Sequence, residues 1–181
     1  MKRIVLTCGL VSGGILAGMI ALMPLYMGGT SGFEHSMLVG YASMVLAFLS
    51  VFVGIRTYRE RTAGGSITFG KAFQVGILIT LITCVMYVVA WEIVYFNFMP
   101  DFVDNYSTHM IEKLRESGAT PAAIAAETQK MARFKELYAN PFINVGMTFM
   151  EVFPVGLIIT LVSAAILRRK PGPAVPAAAT A

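Results

Sequence analysis

Charge is what this sequence has least of. Asp, Glu, Lys and Arg make up 13% of its 181 residues, about half of the roughly 25% found in soluble domains. That scarcity excludes a disordered chain and an ordinary water-soluble domain, both of which need charge. Cysteine is sparse too: Cys8 and Cys84 are the only two. Both lie in apolar runs and neither has a C-x-x-C neighbour, so they read as small packed residues rather than a disulfide pair or metal ligands. Catalytic signatures are missing as well. There is no G-x-S-x-G, no phosphate loop ending in G-K-[ST] and no H-E-x-x-H, so neither an enzyme activity nor a cofactor is expected.

What the chain does have is apolar residues, 56% of the total. They fall in four runs, 4–27, 35–56, 72–96 and 142–167, each long enough to cross about 30 Å of hydrocarbon as a helix of about 20 residues. In lipid the backbone must bond to itself, and a continuous apolar run does so only as a helix. A transmembrane barrel would alternate polar and apolar residues, and these runs do not. The first run follows Met1-Lys2-Arg3. It is longer than the roughly 7–15 apolar residues of a signal peptide and no A-x-A-like site closes it, so it is expected to remain as an anchor.

The cations set an orientation. Lys2, Arg3, Arg56, Arg59, Arg61, Lys71, Arg168, Arg169 and Lys170, nine of the fourteen basic residues, flank the spans on one side, whereas the link 28–34 has none. By the positive-inside rule both termini are expected in the cytoplasm, which four spans permit. The basic excess is thus a membrane-edge feature whose partner is the lipid bilayer, and nucleic acid is not expected. Segment 97–140 then lies outside. Val103, Tyr106, Met110 and Leu114 form one helical stripe that Gly118 ends. Thr120 as N-cap and Pro121 as first residue open a second helix, with Ile124, Met131, Phe134 and Tyr138 on its stripe. Helices this short need a packing partner: each other, the span ends or the lipid interface. Asn140-Pro141 repeats the cap-and-proline pattern before the last span. Residues 1–170 thus form one integral membrane domain, and the Pro/Ala-rich tail 171–181 is expected to be disordered.

Small residues mark candidate packing faces, because close backbone approach drives helix association in lipid. Gly9, Gly13, Ala17 and Ala21 recur every four residues in the first span, as do Gly14 and Gly18; Gly40, Ser43, Ala47, Ser50 and Gly54 mark the second. The first two spans are therefore expected to pack tightly, on each other or across a homo-oligomer.

Two carboxyls fall inside spans, where ionisable groups are costly. Glu92 lies near the outer end of the third span beside Trp91, Tyr95 and Phe96, close enough to the aromatic belt for water to reach it. Glu151 lies nine residues past Phe142, about 14 Å deep. Pro154, one turn on, frees the Met150 carbonyl. Glu151 is either a proton or cation site beside that carbonyl, or a buried carboxyl hydrogen-bonded across the bundle. Glu34, His35, Asp101, Asp104, His109 and Glu112 gather on the outer face. His109 and Glu112 are three apart, but no second such pair completes a metal site, so local salt bridges on a hydrated surface are expected.

Several stretches also match a known pattern. They are Gly65-Ser66-Ile67-Thr68-Phe69-Gly70-Lys71-Ala72-Phe73, Met99-Pro100-Asp101-Phe102, and Phe149-Met150-Glu151-Val152-Phe153-Pro154-Val155-Gly156 running on to Ala165-Ile166-Leu167-Arg168-Arg169-Lys170. In these the chain resembles the bacterial family called domain of unknown function 4199. The resemblance implies a small protein of the bacterial inner membrane with about four spans and a longer loop before the last. It carries over no functional residue. The expectation is therefore an all-α, four-span bundle with an extracytoplasmic amphipathic helical hairpin. Its expected role is a non-enzymatic accessory or assembly partner of another membrane component. The alternative is a small oligomeric transporter or proton/cation pathway through Glu151, with Glu92 as outer relay.

Overall fold

The computed structural model describes the backbone of residues 1–26 and 32–170 and the side chains of residues 1–25 and 39–170. It contains six helices: α1 (Lys2–Tyr26), α2 (Gly32–Arg61), α3 (Phe69–Phe98), α4 (Phe102–Glu116), α5 (Pro121–Tyr138) and α6 (Pro141–Leu167). Among the described residues there is no strand, only an isolated bridge between Ile67 and Arg169. Four of the helices are long and apolar enough to span a bilayer: Lys2–Leu25, Val39–Arg61, Phe69–Phe98 and Pro141–Leu167. The second runs past the expected end at residue 56 because Arg56 and Glu60 pair across one turn at 3.0 Å, which keeps the charged last turn helical. The expectations for the link 28–34 and the tail 171–181 fall wholly or largely outside the described residues.

The four long helices stand in the ring order α1, α2, α6, α3, with α1 and α6 at opposite corners and α2 touching α3 across the middle. The most extensive contact is α1 on α3 rather than α1 on α2. Gly9 faces Ile82 and Gly13 faces Met86, so α1 and α3 run parallel. Ser12 Oγ donates to the Ala47 carbonyl at 2.9 Å, tying α1 to α2. Between α3 and α6 the approach is closest at Gly156, where a Cβ would come within 2.6 Å of Thr80 Cγ2 and 2.7 Å of the Phe48 ring. Beside it the Thr80 and Thr160 hydroxyls bond at 2.9 Å. With lipid as apolar as the side chains, such close backbone approach and buried hydroxyl pairs hold the bundle together.

All nine cations predicted for one side lie at one end of the bundle. Gly64 and Gly65, with φ of 62° and 83°, turn the chain from α2 into α3. Thr68 caps α3 by accepting from Lys71 N at 3.3 Å. Ile67 and Arg169 then exchange two backbone hydrogen bonds of 2.9 Å, and Arg59 Nη1 donates to the Leu167 carbonyl at 3.3 Å. These bonds clip the α2–α3 turn to the end of α6.

The other end carries the hairpin. Gly118, φ 75°, separates α4 from α5. Thr120 accepts from Ala123 N, Pro121 opens α5, and Asn140 accepts from Phe142 N at 3.0 Å to cap α6. The two apolar stripes meet each other, with Val103 and Met131 buried and Tyr106, Met110, Leu114, Ile124 and Phe134 half-buried. Lys135 pairs with Asp104 across the hairpin.

Candidate functional site at the hairpin junction

Where the hairpin meets the spans, three helices contribute to one buried polar cluster. α3 supplies Trp91, α5 supplies Tyr138 from its last residue, and α6 supplies Asn144 and Thr148, one turn apart on its buried face. The Trp91 indole N–H donates to the Tyr138 hydroxyl at 2.8 Å. Thr148 Oγ1 donates to Asn144 Oδ1 at 3.2 Å, and the Thr148 and Tyr138 hydroxyls are also hydrogen-bonded. Asn144 Nδ2 reaches the Tyr138 carbonyl at 3.5 Å. Aromatic rings close over this string. Trp91 meets Phe102 edge-on at 5.0 Å, and Tyr138 meets Tyr95 edge-on at 5.3 Å and Phe134 at 5.1 Å.

Burial pushes the Tyr138 phenol up to about 12, with the charges of Glu151 and Tyr95 adding to the rise and the bonds to Thr148 and Trp91 opposing it. Tyr138 therefore stays a neutral hydroxyl at physiological pH, able to accept from Trp91 while bonded to Thr148. The cluster consists of neutral groups joined in a chain, with no charged base in hydrogen-bond reach among the described residues. Its chemistry is that of a clasp fixing the hairpin to the spans.

The predicted ionisable residues lie beside this cluster and not in it. Glu92 is half-buried, and its Oε1 is sealed from solvent with no hydrogen-bond partner among the described residues. Glu151 does not take the buried, cross-bundle position of its structural reading. It is exposed on the outer flank of α6, one residue from the buried Val152, and no hydrogen bond or ion pair to it forms among the described residues. The physical reason is helix rotation: Asn144, Thr148, Val152, Gly156 and Thr160 take the inward face at four-residue spacing, which turns Glu151 outward.

The predicted packing residues divide. Gly9 and Gly13 are buried against α3, and Ala47 is buried and accepts from Ser12. Ser43 is half-buried, its hydroxyl bonded to the Val39 carbonyl of its own helix. A Cβ at Gly14, Gly18 or Gly40 would meet nothing within 4 Å among the described residues of the other elements. His109 is half-buried and Glu112 exposed, and no group of three His, Cys, Asp or Glu among the described residues comes together to hold a metal. The side chains of Glu34 and His35 lie outside the described residues.

Sequence reasoning missed Asn144 and Thr148. Their signal is present: Asn144, Thr148, Val152, Gly156 and Thr160 repeat every four residues, a small-and-polar ladder inside an otherwise apolar run. The Trp91–Tyr138 bond had no such signal, since it joins residues 47 apart.

Compared with known proteins, residues 7–169 match the family described as "Protein of unknown function (DUF4199)". No curated protein and no solved structure gives a significant match.

Proposed function

The chain belongs to the DUF4199 family, a family of unknown function, and on that premise we propose that it is a non-enzymatic assembly partner of another component of the bacterial inner membrane. In this reading both termini are cytoplasmic and the α4–α5 hairpin is the recognition surface on the outer side. The orientation is supported by the nine cations collected at the end opposite the hairpin, the end the positive-inside rule assigns to the cytoplasm. The observation that carries the role is how the hairpin is held. Its apolar stripes pack on each other, the Trp91–Tyr138 clasp fixes its root, and its outward faces carry exposed charges of both signs. A rigid, charged platform with its apolar surface already buried suits recognition of a folded partner. The test replaces the exposed Glu112, Arg115, Arg133 and Glu136 with serine and measures crosslinked partners in native membranes. Recovery should drop while insertion stays intact, and unchanged recovery refutes the reading.

A second reading is favoured by one observation, the Glu92 oxygen near the outer end of α3 that finds no partner among the described residues. In it an oligomer of the chain conducts protons or cations past Glu151, with Glu92 as relay. Proteoliposome flux that is absent, or indifferent to Glu151→Gln, excludes it.

A further inference from the structure

We propose that the outer flank of α6 around Glu151 is an assembly surface for a membrane-spanning helix of another protein that carries a lysine or arginine at matching depth. This rests on the reading of the chain as an assembly partner and states the chemistry of what it meets within the bilayer.

Glu151 lies ten residues into α6, about 15 Å from the helix start, in a hydrocarbon layer about 30 Å thick. That is the level at which a carboxyl is costliest and least reachable by water. Its neighbours on this flank, Met147, Met150 and Ile158, are exposed along with it, so none of the described residues covers the patch. Tyr87 and Tyr138 lie within electrostatic range of the carboxyl, but neither is hydrogen-bonded to it.

A second feature points the same way. Pro154 sits inside α6 and has no N–H to give the carbonyl of Met150, four residues back. Met150 is 64% exposed. The patch therefore offers an exposed carboxyl beside a carbonyl that lacks its usual helix donor. In hydrocarbon such groups are satisfied by protein or not at all.

Charge complementarity selects the occupant. A lysine ammonium or arginine guanidinium supplies several N–H donors and the opposite charge. A second copy of this chain does not bring that chemistry, because residues 4–55, 72–98 and 141–167 contain His35 but no Lys or Arg, and His35 is placed near the end of α2 rather than at the depth of Glu151. The complementary cation has to come from a different polypeptide.

The test uses the full chain in phosphatidylcholine vesicles with a synthetic, tryptophan-free Leu/Ala helix of about 20 residues. The helix carries one lysine at its centre, or leucine in its place, and an energy acceptor. Trp91, the only tryptophan of the chain, is the energy donor. The lysine helix should associate about tenfold more tightly than the leucine helix. Glu151→Gln should abolish that preference and Glu92→Gln should keep it. A native chain that does not distinguish the two helices overturns the proposal. So does a preference that survives Glu151→Gln, or a Glu151-dependent self-association of the chain without peptide. The lysine-to-leucine comparison is made on the native protein, so its outcome does not depend on a variant folding. Failure here leaves the hairpin reading standing, because the serine substitutions test it separately.

Discussion

Replacing Tyr138 with phenylalanine removes one oxygen and keeps the ring that packs on Tyr95 and Phe134. The Trp91 indole N–H then loses its acceptor and Thr148 loses one partner, in a place where Trp91 is 7% and Asn144 0% exposed. An orphaned buried donor costs about 1–3 kcal/mol in water-soluble proteins. Hydrogen bonds between membrane helices average about 0.6 kcal/mol and reach about 1.7. The clasp lies at the bundle's end, between those settings, so a loss of about 1–2 kcal/mol is expected, a factor of about 5–30 in the equilibrium between docked and undocked hairpin. Hydrogen exchange of the α5 amides should rise by that factor while the α3 amides around Thr80 stay protected. The emission of Trp91, the only tryptophan, should shift at the same time, giving a second readout at the bond itself. If α5 exchange stays within about twofold of the native protein, the clasp does not hold the hairpin and the reasoning fails.

The same hydroxyl predicts an alkaline limit. Its phenol titrates near 12 when docked, against about 10 when free. The undocked state loses its proton first, so hairpin docking is unaffected below about pH 10 and weakens as pH rises towards 12, by up to about 3 kcal/mol at about 1.4 per pH unit. Tyr138→Phe should flatten that part of a pH titration of thermal stability, and an unchanged slope would assign it to other groups. Gly156→Leu should lower bundle stability by about 1–3 kcal/mol through overpacking against Thr80 and Phe48, whereas Gly14→Leu, facing open space, should have little effect; equal losses in a detergent melt would contradict the packing described. A Ser117→Cys label at the exposed hairpin tip should react with a membrane-impermeant thiol reagent in intact cells. Labelling only after lysis would reverse the orientation.

The ends of the elements are legible in the sequence because the signals are local. Thr68, Thr120-Pro121, Asn140-Pro141 and Gly118 act through bonds and dihedrals within a few residues, and each stands at the boundary its type predicts. The hairpin stripes are legible too, since a helix with one side in water must be apolar on the other, and α4 shows this most strongly. The end of the second span is the boundary that differs most. Charge at Arg56 reads as the end of a helix, whereas an Arg56–Glu60 pair lets the helix continue.

By itself the sequence determined that four helices can cross a bilayer, which end of each carries the cations, and that a helical pair joins the third to the fourth. These follow from hydropathy and charge, which need no neighbour to be read. Tertiary structure alone decided that α1 lies beside α3, that Tyr138 closes on Trp91, and that Glu151 is exposed on the flank of α6. A span that is apolar all round carries no stripe marking its inner face, so its rotation and its neighbours are set by side chains distant in sequence, through close packing and buried hydrogen bonds that appear only once the helices are assembled.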